Sequence, residues 1–308
     1  MAPTRIQTTA MPEGPAAAAG AQPVVVGDPA QLRAITHTWR CQGARIGLVP
    51  TMGAIHEGHL SLVAAARGQC QKVIVSTFVN PLQFGPGEDF TRYPRRPDQD
   101  RELLRRAGVD AIYAPSQDSL YPPSFATKVT VDMEGLSRFE GAARPGHFQG
   151  VATVVAKLFG AVGPCLAFFG EKDAQQVALV RRLAADLDQG VEVHECPTVR
   201  EADGLAMSSR NEYLGEEARR SAVGLSGWLR LAQQLFRGGE RRATAYRKLA
   251  EATVARDPGV TLEYADVVDP SDFSAIDTVD QGSRLLIAAR VGGVRLIDTA
   301  LLGSASLD

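Results

Sequence analysis

Arg45-Ile46-Gly47-Leu48-Val49-Pro50 runs directly into Thr51-Met52-Gly53-Ala54-Ile55-His56-Glu57-Gly58-His59, and the reading of this stretch decides the fold. Its first half is a short apolar run bounded by proline, which predicts a buried strand. Leu60 to Cys70, with Leu60, Val63, Ala64 and Arg67 at helical spacing, predicts the helix that follows. Outward from this unit the same alternation repeats. Strands are expected at Lys72–Val79, Val109–Tyr113, Cys165–Phe169 and Val191–Cys196, and helices at about Asp98–Ala107, Gly150–Val162 and Ala174–Leu187. Strands alternating with helices imply βαβ units and hence an α/β fold with a doubly wound parallel sheet.

After Thr198 the order changes. Two helices, about Glu216–Phe236 and Arg242–Val254, precede strands at Thr261–Val268, Arg284–Ala289 and Val294–Leu301, a pattern expected of a smaller α+β C-terminal domain. The expected division is a leader over 1–22, a catalytic domain over 23–198 and a lid domain over 199–308, with polar residues 199–213 joining the last two. The leader is rich in Ala, Pro, Gly and Thr and has neither the basic start nor the apolar middle of a secretory signal; it reads as disordered.

With 33 basic and 35 acidic residues, the net charge of −2 argues against a polyanion-binding surface over the whole chain, and so against nucleic acid as partner. The uncharged stretch Leu158–Gly170 is broken by Gly160, Gly163 and Pro164 and is too short to span a bilayer. Cys41, Cys70, Cys165 and Cys196 lie far apart, with no redox or zinc spacing, and read as reduced thiols of a cytoplasmic protein.

Four segments carry candidate chemistry. Pro50–His59 follows a strand and opens a helix, the position at which doubly wound sheets bind ligands. Gly53 permits a sharp turn and Gly58 a close approach. Free N–H groups at the helix start suit phosphate, and two imidazoles three residues apart would share a helix face and donate hydrogen bonds or a proton. Structural histidines or a metal site are the competing readings. In Phe168–Gln176 a strand ends in Gly170 before Glu171, Lys172 and Asp173; Lys172 could neutralise phosphate, while Asp173 could cap the helix or hold magnesium through water. A plain cap with a surface lysine is the alternative. Arg200–Asn211 contains Met207-Ser208-Ser209-Arg210, either an anion-binding set or a polar linker. Phe78–Gly87 offers Asn80 and Gln83 to a hydroxylated substrate, with Gly85 and Gly87 letting the loop through Tyr93 move as a lid; it is equally good as a turn.

Together these segments and Gly146–Phe159 (GHFQGVATVVAKLF) resemble the pantoate–β-alanine ligase family over about Val24–Leu301, in order and at appropriate spacing. PTMGAIHEGH resembles the HIGH signature of adenylyl-transferring enzymes and MSSR its KMSKS counterpart. The resemblance implies a Rossmann-like domain with a smaller C-terminal domain, usually a homodimer, and an ATP- and Mg²⁺-dependent condensation of pantoate with β-alanine through pantoyl adenylate. It implies an ATP site at Pro50, Thr51, Met52, Gly53, Ala54, Ile55, His56, Glu57, Gly58, His59, Gly170, Glu171, Lys172, Asp173, Val199, Met207, Ser208, Ser209 and Arg210. His59 would be the proton donor, assisted by His56, Lys172 and Arg210. Asn80, Gln83, Gln176 and Met52 would hold pantoate, with Gln83 also meeting β-alanine, and Asp173 would meet the metal through water. Thr299 stands where the family pattern leads one to expect Asn.

Overall fold

Val, Ile, Leu and Phe are concentrated in runs of about six residues separated by glycine- and proline-rich turns, which suits strands buried on both faces. In the computed structural model, which describes residues 22–304, three such strands, Ile46–Thr51, Lys72–Thr77 and Cys165–Gly170, form the centre of one six-stranded parallel sheet, flanked by shorter or more exposed strands. Its elements in chain order are β1 (Val24–Val26), α1 (Pro29–Cys41), β2 (Ile46–Thr51), α2 (Glu57–Arg67), β3 (Lys72–Thr77), α3 (Pro97–Arg106), β4 (Ala111–Tyr113), the short α4 (Gln117–Leu120) and α5 (Glu140–Ala143), α6 (His147–Val162), β5 (Cys165–Gly170), α7 (Ala174–Asp186) and β6 (Val191–Cys196). The strand order is β1-β4-β3-β2-β5-β6. From β2 the chain winds outward through β3 and β4, then crosses back to add β5 and β6 on the other side. The switch point therefore lies between β2 and β5, and a crevice opens at their carboxyl ends.

Register puts the strand ends level. Thr51 pairs with Thr77 and Gly170 with Cys196, while Gly47 and Leu48 face Leu166 and Ala167. One face of the sheet is sealed by α1, α6 and α7 through Leu48, Phe159, Val162, Val180 and Leu183. The other is sealed by α2 and α3 through Val49, Val63, Leu104 and Phe168. Cys70, Cys165 and Cys196 are buried in these layers as small apolar side chains, and all four cysteines are free thiols.

Beyond β6, α8 (Glu216–Arg237) and α9 (Ala243–Thr253) pack on an antiparallel sheet of β7 (Val260–Val268), β8 (Arg284–Val291) and β9 (Val294–Leu301), around a separate core centred on Trp228, Leu229, Tyr246 and Ile287. Thr299 is buried there and its hydroxyl donates to the Leu285 carbonyl at 2.7 Å, so this position is satisfied without an amide. No helix among the described residues is long and apolar enough to cross a membrane. The leader reading, Gln22 apart, lies outside the described residues.

Two expected helix starts shift by physical cause. Helix α2 begins at Glu57, not Leu60, because His56 caps it, and α6 begins at His147, not Gly150, after Gly146 at φ +83°. The unanticipated α1 starts from Asp28, whose carboxylate accepts from Gln31 N at 2.8 Å, with Pro29 at the first helical position.

Candidate active site

The turn after β2 is built by short polar contacts. The Thr51 hydroxyl donates to the Ser76 carbonyl at 2.6 Å and accepts from Gly53 N at 3.1 Å. Gly53 at φ +81° reverses the chain, and Ala54 follows at φ +50°, a conformation that costs an alanine roughly 1–2 kcal/mol. Asp100, on α3 and almost wholly buried, holds it there: its two carboxylate oxygens accept from Ala54 N at 3.0 Å and Ile55 N at 2.8 Å.

The two imidazoles then form the start of α2. His56 Nδ1 accepts from Gly58 N at 3.1 Å and His59 Nδ1 accepts from His56 N at 3.4 Å, a reciprocal capping box built from histidines. They do not share a helix face as expected; His56 precedes the helix, and the rings stack with centroids 4.0 Å apart. Gly58 N–H, expected to be free for phosphate, is spent on the cap. An amide N–H can only donate, so both Nδ1 atoms are acceptors and both Nε2 atoms carry the proton. The helix start thus presents imidazole N–H groups to a ligand in place of that backbone one. Burial, reinforced by the Lys172 ammonium, lowers His56 to about 4. Burial, His56 and Lys172 lower His59 to about 3. Both rings are neutral at pH 7 in the ligand-free site, so His59 offers a hydrogen bond there; acting as a proton donor requires the negative charge of a bound phosphate to raise its pKa.

These imidazoles line an inner cavity of about 220 Å³ at the switch point. Its walls bring together Pro50, Thr51, Met52, His56, Gly58, His59, Asn80, Gln83, Gly170, Lys172, Asp173, Gln176, Val199 and Met207–Arg210. An outer chamber of about 770 Å³, reaching the C-terminal sheet at Arg290 and Arg295, shares with it Arg144, His147, Lys172, Asp173, Gln176, Ser208 and Arg210. Lys172 has no hydrogen-bond or ion-pair partner among the described residues and faces both spaces. Gln176 is likewise uncommitted, whereas its neighbour Gln175 is buried and spends its amide on Glu140 N and the Gly135 and Arg138 carbonyls.

Several expected residues stand elsewhere. Gly53, Ala54 and Ile55 are buried behind the turn, and Glu57 points to solvent. Glu171 does not line either cavity; its carboxylate lies 3.6 Å from Arg284 of the C-terminal sheet, because the strand-to-helix turn rotates it away from Lys172. Asp173 makes no cap bond to α7 and keeps its carboxylate in the cavity wall. Asn80 lines the cavity but is fully spent: Nδ2 donates to Gly150 O at 3.0 Å and Gln83 Oε1 at 3.1 Å, and Oδ1 accepts from Leu82 N and Tyr121 OH. It orders the turn that aims Gln83. Arg210 is gripped by Asp89.

Sequence reasoning assigned no site role to Arg144, His147 and Thr198. His147 Nδ1 donates to the Gln83 carbonyl at 2.8 Å and Arg144 Nη1 donates to its Nε2 at 3.0 Å, so the pair buttresses Gln83. The Arg144-Pro145-Gly146-His147 run before a helix was the available signal. Thr198 Oγ1 is buried in the inner wall with no partner among the described residues, a hydroxyl left for a ligand.

Two imidazole N–H donors, an uncompensated ammonium and a guanidinium around one crevice suit an anion such as a nucleotide triphosphate. The family model described as pantoate-beta-alanine ligase matches residues 24–301. The chain belongs to the pantoate–β-alanine ligase family. Pantothenate synthetase of Acidobacterium capsulatum is 51% identical over 266 residues, covering 86% of this chain and 88% of that protein. That of Pelotomaculum thermopropionicum is 47% identical, covering 89% and 96%. Among solved structures, pantothenate synthetase from Thermus thermophilus superimposes with a TM-score of 0.85 at 44% identity, covering 90% of this chain and 98% of that one. Pantoate-beta-alanine ligase from Francisella tularensis, complexed with beta-gamma ATP and β-alanine, gives 0.76 at 32% identity, covering 92% and 99%.

Proposed function

We propose that the protein condenses (R)-pantoate with β-alanine to pantothenate, using ATP and passing through pantoyl adenylate, in the pathway towards coenzyme A. The observation that carries this reading is the convergence of Met52, His56, His59, Asn80, Gln83, Lys172, Asp173, Gln176 and Met207–Arg210 on one crevice at the switch point of the sheet. In the first step a pantoate carboxylate oxygen bonds to the α-phosphorus, and the bond from that phosphorus to the bridging oxygen breaks to release pyrophosphate. Charge gathers on the α-phosphoryl and leaving oxygens, where the two Nε2–H groups, Lys172 and Arg210 stabilise it. Gln176, Gln83 and the Met52 side chain orient pantoate, the amide of Gln83 being steadied by Asn80 and by the Met52 sulfur at 3.0 Å. In the second step the neutral amine of β-alanine bonds to the acyl carbon, the bond from that carbon to the phosphate oxygen breaks to release AMP, and the amine gives up one proton to the departing phosphate or to water. This step needs positioning and exclusion of water more than activation, because the anhydride is already reactive. Closure by the 85–93 loop and the C-terminal unit, read as a lid domain from residue 199, serves that exclusion.

Magnesium fits as an ion that arrives with the triphosphate. No cluster of three or more ligating side chains exists among the described residues, and Asp173 supplies a single uncommitted carboxylate beside the cations. This donor set suits an ion held mainly by phosphate oxygens and water, and the ion would supply charge neutralisation of the triphosphate. A cytoplasmic homodimer is the accompanying reading, checked by light scattering and fractionation. The decisive assay mixes protein, ATP, Mg²⁺, pantoate and β-alanine. Production of AMP and pantothenate that depends on β-alanine supports the reading, and pantoate-dependent pyrophosphate exchange without β-alanine supports the adenylate. Absence of both refutes it.

A further inference from the structure

We propose that Asp89 is a positioning residue for the nucleotide step, acting through Arg210; the proposal rests on the functional reading above. Arg210 reaches the shared wall of both cavities on a long stem with many rotamers. Asp89 removes that freedom. Its Oδ2 accepts from Nε at 2.9 Å and its Oδ1 from Nη2 at 3.0 Å, a two-point fork that fixes the plane of the guanidinium. Nη1 makes no hydrogen bond to any described residue, so one edge of the guanidinium is spent on alignment and the other is left for a ligand. Burial opposes the charge of Arg210, and the Asp89 carboxylate more than restores it.

The fork belongs to a longer clasp. The Tyr93 and Ser209 hydroxyls lie 3.3 Å apart, Tyr213 OH donates to the Arg92 carbonyl at 2.8 Å, and Arg96 pairs with Glu212 through both nitrogens. The 89–96 segment is therefore tied to the Ser209–Tyr213 turn at four points, Asp89, Arg92, Tyr93 and Arg96. Asp89 follows Gly87, at φ +82°, on the loop that covers the site, so Arg210 is aligned only when that loop is seated. Seating the loop and completing the phosphate-binding set are then one event, which ties water exclusion to catalytic competence.

The test compares wild type with Asp89→Asn, which preserves shape and removes the charge of the fork. In pantoate-dependent ATP–pyrophosphate exchange, kcat/KM for ATP should fall on the order of 10–100-fold, the scale of a misplaced catalytic group. The KM for β-alanine should not change, and supplied pantoyl adenylate should react with β-alanine at the wild-type rate. In an Arg210→Lys background, whose point charge cannot take the fork, Asp89→Asn should add less than about a further 2-fold. Losses that multiply, ATP kinetics within 2-fold of wild type, or improved use of ATP would each overturn the proposal, the last by making Asp89 a competitor of phosphate. If Asp89→Asn fails to fold, Asp89→Glu decides, because it keeps the charge but moves the carboxylate out of the two-point fork: a loss confined to the exchange reaction supports the fork, and unchanged ATP kinetics refutes it. A wild type without pantoate-dependent exchange would sink the functional reading, whereas an active wild type with an indifferent Asp89→Asn sinks only this inference.

Discussion

Replacing Asp100 by Ala should damage the protein twice over, in stability and in catalysis. The carboxylate is 5% exposed and satisfies Ala54 N and Ile55 N, two backbone donors of the turn. Leaving a buried donor unpaired costs about 1–3 kcal/mol, so the pair should cost about 2–6 kcal/mol. Asp100→Asn retains one acceptor and presents an N–H₂ group to the other donor, so its cost should fall between wild type and Ala. Urea unfolding at constant m reads this as a lower midpoint. The same variants should lose adenylate formation even where fully folded, because Ala54 at φ +50° is no longer restrained two residues before His56. Pantoate-dependent pyrophosphate exchange, measured well below the unfolding transition, checks this. An Asp100→Ala protein within about 0.5 kcal/mol of wild type and with normal exchange would refute the argument that this carboxylate holds the turn.

Lys172→Ala should lower adenylate formation by roughly 10²–10³-fold while leaving the urea midpoint unchanged, since its ammonium makes no internal pair; turnover near wild type would remove its role. Stability should fall on acidification. His147 is 8% exposed and burial, then Arg144, lowers it from 6.5 to about 4, so the folded state favours the neutral ring. Its stabilisation is complete above about pH 6.5 and is lost as pH falls towards 4, up to roughly 3 kcal/mol by order of magnitude. Urea midpoints from pH 7 to 4.5 measure the slope, to which His56 and His59 add in the same direction; His147→Gln should reduce it, and an equal slope in that variant would contradict the assignment. Gly150→Ala would drive a Cβ into the Leu82 carbonyl and to 2.6 Å from Gln83 N, so it should cost about 1–3 kcal/mol and raise the KM for pantoate; unchanged kinetics would show that the Gln83 turn yields freely.

The parallel sheet was legible because buried strands such as Ile46–Thr51 and Lys72–Thr77 are short runs rich in β-branched residues between turns, and backbone pairing then sets their level. The motif segments were legible because each sits where a strand ends. What stayed hidden were partners remote in sequence. Asp100 lies 45 positions from Ile55, and Asp89 lies 121 from Arg210, so no local pattern joins them. Side-chain direction was hidden as well. Glu171 and Lys172 are adjacent, yet one meets Arg284 and the other the cavity, because a tight helical turn rotates consecutive residues apart. Asn80 shows a third limit: residue type suggested a substrate contact, whereas four internal bonds consume its amide. Helix α1 was legible in principle from Asp28-Pro29, but its sparse buried residues, Leu32 and Thr36, give little periodic signal.

The pairing of β2 with β5 has a consequence for how this protein can change. The offset that sets Gly47 against Leu166 and Leu48 against Ala167, carried forward, sets Thr51 level with Gly170, so the histidine turn and the lysine turn are gauged against each other by the register of two paired strands. Removing one residue from either strand would slide its turn by roughly 3.3 Å and reverse the facing of every side chain in it. Insertions in the outer loops touch neither. Lineages of this protein should therefore vary freely in loop length and surface charge while these two strands keep constant length, as a caliper keeps its span whatever is mounted on its jaws.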